Sequence, residues 1–205
     1  AGSRLAVNSD RLKLVKADVA KLTTKGAAQR YAVWAILQDK QSKKKAFVLN
    51  THLEPGGQTD ASYNDARIKQ ANEVLALVKS KSEGLPVIVA GDMNSSRANK
   101  PTNGAYVTFT AGGLVDPLGD ANLTWPSSTP TAEHPLDREY NAFNGLEKRA
   151  RRTAWLVGTR VDYILVSKNV RVAQTRTVVN LNTSGNFVGT IPSDHNLLTA
   201  SVHLP

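Results

Sequence analysis

The 205-residue chain has no cysteine, one methionine and only 6% aromatic residues. Without thiols there is no disulfide, no thiolate metal site and no cysteine nucleophile, and the redox compartment leaves no trace in the composition. No apolar run approaches the length of a membrane span. Acidic residues are also scarce: 17 Asp and Glu stand against 26 Lys and Arg, giving a formal charge of +9 and an isoelectric point near 9.9. Such a field favours polyanions, nucleic acid first and anionic membrane surfaces second. The chain opens Ala1-Gly2-Ser3, which reads as a processing boundary and leaves the destination open, secretion included.

What remains is a globular composition, 40% hydrophobic and 21% charged, of a length that suits a single domain, 1–205. The chain is organised around Leu85-Pro86-Val87-Ile88-Val89-Ala90-Gly91-Asp92-Met93-Asn94. An apolar run between a proline and a glycine reads as a strand buried on both faces. Asp92 and Asn94 follow at period two, so an extended chain would present both to whatever lies beyond the strand tip. A carboxylate and an amide oxygen are hard donors suited to a magnesium-type cation or to positioning water and phosphate. The same residues also form ordinary turns.

Elsewhere, Arg4 to Lys16 reads as half a hairpin or two short strands around Asn8-Ser9-Asp10. Gln29 to Leu37 alternates through Tyr31, Val33 and Leu37, and Ala46 to Leu53 pairs with it across a lysine-rich turn. His52 stands at the end of that second strand, as Asp92 does at the end of its own, while Glu54 reads as a loop acid before Pro55. From Asp60 to Lys81, Ala61, Ile68, Ala71, Leu75 and Val78 recur at helical spacing, with Arg67 on a surface or capping position. Strand, helix and strand in this order make a crossover unit of an α/β sheet.

Residues Asn122 to Asn144 show neither period and carry Trp125, Tyr140 and Phe143, a loop of a length that is either functional or poorly ordered, with His134 read as a surface residue. Lys148-Arg149-Ala150-Arg151-Arg152 is a dense basic run, either a solvated segment or a phosphate-contacting edge. Asp162 interrupts the apolar strand Arg160 to Ser167 and therefore needs a partner. Val170 to Val179 is a further strand. Asp194 and His195 precede the closing strand Leu197 to Val202, and His203 lies at its frayed end.

Four short motifs thus occur in order, each on a strand or strand end: Asn50-Thr51-His52, Gly91-Asp92-Met93-Asn94, Arg160-Val161-Asp162-Tyr163 and Ser193-Asp194-His195. The set resembles the endonuclease/exonuclease/phosphatase superfamily, the pancreatic deoxyribonuclease-like and exonuclease III-like enzymes, over nearly everything from about Asn8 to Leu204. The resemblance implies a four-layer α/β/β/α sandwich and a metal-dependent phosphoesterase. It implies that His195 does acid/base work or stabilises phosphate, that Asp162 orients it, and that Asp92 holds the attacking water with Asn94 beside it on the phosphate. It casts Asp194, with Asp92 and Asn94, as ligands of Mg2+ or of Mn2+ or Ca2+, His52 as a phosphate donor steadied by Asn50, and Arg30 as a phosphate contact.

The family's early strands, which end in a metal-binding asparagine and a glutamate ligand, should precede Arg4. The chain is therefore expected to represent the later two thirds of the usual domain, the rest being cut away, supplied by another chain or lost by truncation. Nucleic acid is the expected substrate. The alternatives are a phospholipid, sphingolipid or small phosphoester substrate, and a non-catalytic module that keeps a phosphate-recognising surface.

Overall fold

The computed structural model describes residues 3–56, 60–99, 102–118, 132–152 and 159–205. Strand β1 (Leu12–Leu22) pairs antiparallel with β2 (Arg30–Asp39), and β2 pairs with β3 (Lys45–His52) across the expected turn. Helix α1 (Ala61–Lys81) then carries the chain over to β4 (Val87–Asp92), which lies parallel to β3, so the crossover unit is present. After helix α2 (Gly104–Ala111), the two-residue strand β5 (Leu114–Val115) and β7 (Asp162–Ser167) complete a six-stranded sheet of order β1-β2-β3-β4-β7-β5. A smaller sheet joins β6 (His134–Leu136), β8 (Arg171–Thr177) and β9 (Leu198–His203) in the order β6-β8-β9.

One face of the large sheet is covered by the helices. Trp34 and Phe47 stack with centroids 5.5 Å apart, and they share a core with Val87, Val89, Ala71, Val74, Tyr106 and Phe109. Each such aliphatic side chain contributes about 1.5 to 3 kcal/mol by leaving water. The other face meets the small sheet through Ile88, Val166, Val172 and Val202. Strand β4 is therefore apolar on both faces because both are covered, by helices on one side and by a sheet on the other. These layers are the α/β/β part of the expected sandwich, and no outer helical layer is seen on the small sheet among the described residues.

Helix α1 begins where Asp60 accepts a hydrogen bond from the Ser62 backbone N–H at 2.9 Å, and Lys79 and Lys81 face the negative end of its dipole.

Several readings of the sequence are revised. The opening segment is one long strand, Leu12–Leu22, after a turn at Asn8 to Arg11; it is an edge strand largely open to solvent, and its charges Lys13, Lys16, Asp18 and Lys21 obscure the strand pattern. In β2 the helix-facing core residues are Ala32, Trp34 and Ile36, while Tyr31, Val33 and Leu37 are only half-buried on the opposite face. The Ala105 to Ala111 stretch, to which the sequence reading assigns no element, is helical. Arg67 is not on the surface but fully buried, and Glu54 is buried as well. Of the long loop, His134 is exposed at the start of β6, and Trp125 lies outside the described residues.

Candidate active site

Three side chains stand in one row across three adjacent strands. His52 at the end of β3 is the register partner of Asp92 at the end of β4, and Asp92 is the register partner of Asp162 at the start of β7. Register partners project to the same face, so sheet geometry brings together residues 40 and 70 positions apart. His52 Nε2 lies 3.5 Å from Asp92 Oδ2, a loose contact. Gly91 lets the strands come this close: its φ is +138°, and a Cβ there would meet the Thr51 carbonyl oxygen at 1.8 Å and Asn50 Oδ1 at 2.9 Å.

His195 arrives from the segment before β9 and places Nδ1 2.7 Å from Asp162 Oδ2, which supplies the partner that Asp162 requires in its apolar strand. This interaction holds the ring with Nε2 directed away from the carboxylate. A web of main-chain bonds fixes the segment. The N–H groups of Asn144 and Gly145 donate to the Asp194 carbonyl at 2.8 and 3.1 Å, and Asn196 N–H donates to Ala142 O at 2.7 Å. The buried Asn144 side chain donates to Ser193 O and to Asn196 Oδ1 at 3.0 Å each. The Phe143 ring packs edge-on against the imidazole at 5.3 Å.

The electrostatics separate the two histidines. The bond to Asp162 pushes His195 up to about 9, so its ring is cationic at neutral pH. Burial, and then the positive charge of Arg30, hold His52 below the ordinary imidazole value, so it is neutral there. Burial, aggravated by the neighbouring Asp162 charge, pushes Asp92 up to about 6. One cationic imidazole, one neutral imidazole and a carboxylate near 6 thus share a rim, which equips the site to give and take protons around pH 6 to 9.

The ligand atoms of Asp92, Asp162 and His195 all lie within 4.8 Å of one another, a spacing that can hold a metal ion. Two carboxylates forced side by side in a partly buried place suit a hard divalent cation. The His195 bond already engages Asp162, so Asp92 is the oxygen donor best placed for one. Asp194 is exposed and is not in this group, although its charge contributes to the raised basicity of His195. Asn94 does not continue the extended chain: at φ +45° it turns back, its N–H donating to Asp92 Oδ1 at 2.8 Å and its amide to Leu53 O at 3.2 Å. Asn50 donates to Arg4 O at 2.8 Å.

Arg30 sits at the head of β2 with Nε 3.8 Å from Glu54 Oε2, both side chains nearly buried. Below them, the buried Arg67 donates to the carbonyls of Glu54 and Gly56 at 3.2 and 2.8 Å, and Gln70 Oε1 accepts from Glu54 N–H. Helix α1 thereby clamps the loop that follows His52. Glu54, Arg67 and Asn144 support the site without being legible as such in the sequence; Arg67 followed by Gln70, at i and i+3 on the apolar side of the helix, was the signal that one helix face is polar but buried.

The sequence matches the Endonuclease/Exonuclease/phosphatase family over residues 11–195. The chain belongs to that family. No curated protein matches it. Among solved structures it is similar to an endonuclease/exonuclease/phosphatase family protein from Bacteroides thetaiotaomicron, at 18% identity and a TM-score of 0.72, with 95% of this chain and 66% of that one covered. It is also similar to a mannosyl-6-phosphatase from the same organism, at 18% identity and 0.69 over 95% and 68%. A third likeness is to D. rerio TDP2 complexed with single strand DNA product, at 18% identity and 0.62 over 95% and 69%. These likenesses bear on the fold, and this chain spans about two thirds of the length of each. The adjoining strand positions of His52, Asp92 and Asp162 all fall within the matched residues.

Proposed function

We propose that the site hydrolyses phosphoester bonds by in-line attack of water on phosphorus, and that phosphodiesters of nucleic acid are the substrate. The observation that carries this reading is the His52–Asp92–Asp162 row with His195 held 2.7 Å from the last carboxylate. Asp92, whose basicity in the metal-free protein is raised by burial and by the Asp162 charge, accepts the proton of the attacking water as the new P–O bond forms. His195, cationic and oriented by Asp162, gives its proton to the departing oxygen as the other P–O bond breaks. Neutral His52 and the buried Arg30 stabilise charge on the non-bridging oxygens. A divalent cation, Mg2+ being the natural choice, would be held by Asp92 where the carboxylates gather, and would supply Lewis-acid neutralisation of the phosphate.

The charge of +9 favours a polyanionic substrate, as does the likeness to a protein crystallised with a DNA product. The likeness to a mannosyl-6-phosphatase favours a small phosphomonoester as the second reading. The test is to assay the purified chain on plasmid DNA, bis(p-nitrophenyl) phosphate and p-nitrophenyl phosphate, with Mg2+ and with chelator, beside His195→Ala. Diester cleavage that needs metal and imidazole is expected. Cleavage indifferent to both would dismiss the reading, and cleavage confined to the monoester would select the second one.

A further inference from the structure

A polar cleft of about 290 Å³ has walls that include Tyr140, Arg149, Arg152, Asn182, Thr183 and Ser184. No acidic side chain lines it. Of the basic run at 148–152, Arg151 is engaged by Glu147 and packs over the Phe143 ring, whereas Arg149 and Arg152 have no carboxylate within ion-pair distance among the described residues. Two uncompensated guanidinium groups and three hydroxyls around one concavity make a donor-rich surface for a tetrahedral oxyanion. The walls are built rather than draped. Arg149 is bridged to Asn186 and Tyr140 to Arg152, Ala150 N–H donates to Gly185 O at 3.0 Å, and Asn182 Oδ1 accepts from the N–H groups of Ser184 and Asn186 at 3.0 Å each.

The cleft belongs to the same framework as the catalytic imidazole. Tyr140 opens the loop whose next residues, Asn141 to Gly145, hold His195 and Asp194 in place, and Arg152 closes that loop.

Resting on the phosphodiesterase reading, we propose that the cleft between the Tyr140/Arg149/Arg152 wall and the Asn182 to Gly185 turn binds a backbone phosphate of a polynucleotide substrate away from the scissile bond. It acts on phosphate alone, so it adds affinity without reading sequence.

The test is fluorescence anisotropy of a labelled single-stranded oligonucleotide in chelator across a salt series, comparing wild type, R149A/R152A and K13A/K21A, the last removing equal charge from the β1 edge strand. Both arginines are exposed, so their variant folds. The expected result is a Kd about tenfold weaker at low salt for R149A/R152A, with the slope of log K against log salt reduced by about 0.7 for each phosphate that the variant no longer neutralises, and a change of less than about twofold for K13A/K21A. Hydrolysis of bis(p-nitrophenyl) phosphate, which carries no second phosphate, stays at the wild-type rate in R149A/R152A. Oligonucleotide affinity unmoved by R149A/R152A, or lowered equally by K13A/K21A, overturns the cleft proposal while leaving the hydrolytic reading intact. Wild-type protein that binds anionic phosphatidylserine vesicles through these arginines but not the oligonucleotide overturns it too. A diester that no form cleaves, with oligonucleotide binding still dependent on the arginines, fails the hydrolytic reading alone.

Discussion

Replacing Asp162 with Asn keeps the shape of the residue and removes its charge, and the structure sets the size of the effect. The rise of His195 from 6.5 to about 9 corresponds to about 3 kcal/mol of preference for the cationic ring at full coupling. The imidazole is 27% exposed, and screening by water reduces this to about 1 to 2 kcal/mol. In Asp162→Asn the His195 titration, followed by ¹H–¹⁵N NMR in chelator, falls toward 6.5. Asp92, relieved of a neighbouring charge, moves down from about 6 at the same time. The folded-state pKa of His195 exceeds the unfolded one, so the bond stabilises the fold fully below pH 6.5 and ceases to do so as pH rises through 9. The stability difference between wild type and variant that is due to this bond should therefore shrink across pH 6.5 to 9. Turnover should drop by about a thousandfold, because an amide cannot hold the imidazole in its working tautomer or stabilise its charge. A variant whose His195 still titrates near 9, or whose turnover is unchanged, would refute the assignment of the pair.

Three further outcomes are expected. Gly91→Ala forces a Cβ to within 1.8 Å of a carbonyl oxygen at φ +138°, and urea unfolding should show a loss of about 3 kcal/mol or more; a loss below about 0.5 would mean the strands part easily. Asp116→Asn removes the carboxylate that Arg97 meets at 3.2 Å and to which Tyr106 donates, deep in the core. Thermal unfolding should register about 3 to 5 kcal/mol of destabilisation, and a neutral result would show that the pair carries no structural weight. Asp92→Asn should weaken Mg2+ binding by about tenfold or more in calorimetry. It should also stabilise the metal-free fold by about 1 to 3 kcal/mol at pH 7, since a carboxylate raised from 3.8 to about 6 costs stability as pH climbs through that window. Unchanged metal affinity together with a less stable fold would contradict both parts.

The middle of the fold was well legible in the sequence. Strands β3 and β4 show as apolar runs because they are covered, helix α1 shows its helical spacing because one face is, and Asp60 marks the helix start by a side chain that bonds locally. Strand β1 was obscured because an edge strand in water has no need of alternation. Helix α2 was unassigned because Ala105-Tyr106-Val107-Thr108-Phe109-Thr110 is rich in β-branched and aromatic residues; packing of Tyr106 and Phe109, at i and i+3, against the sheet overrides that preference. The ordered motifs were legible because strand ends are short and polar after apolar runs. Glu54, Arg67 and Asn144 were not, since a charged or amide residue is buried only when a partner distant in sequence satisfies it, and composition does not announce that partner.

Mounting His52, Asp92 and Asp162 on one hydrogen-bonded ladder has a mechanical corollary. Their separations are multiples of the strand repeat, about 4.8 Å, and no single replacement can stretch them without unzipping the sheet. The surfaces proposed to meet a remote phosphate, from Lys148 to Arg152 and from Leu181 to Gly185, are tethered mainly to each other and to Asn186 and Phe187, and can be remodelled in length and charge at little expense to that ladder. Reactivity and selectivity are thus lodged in separable pieces of the chain, one stiff and one pliant.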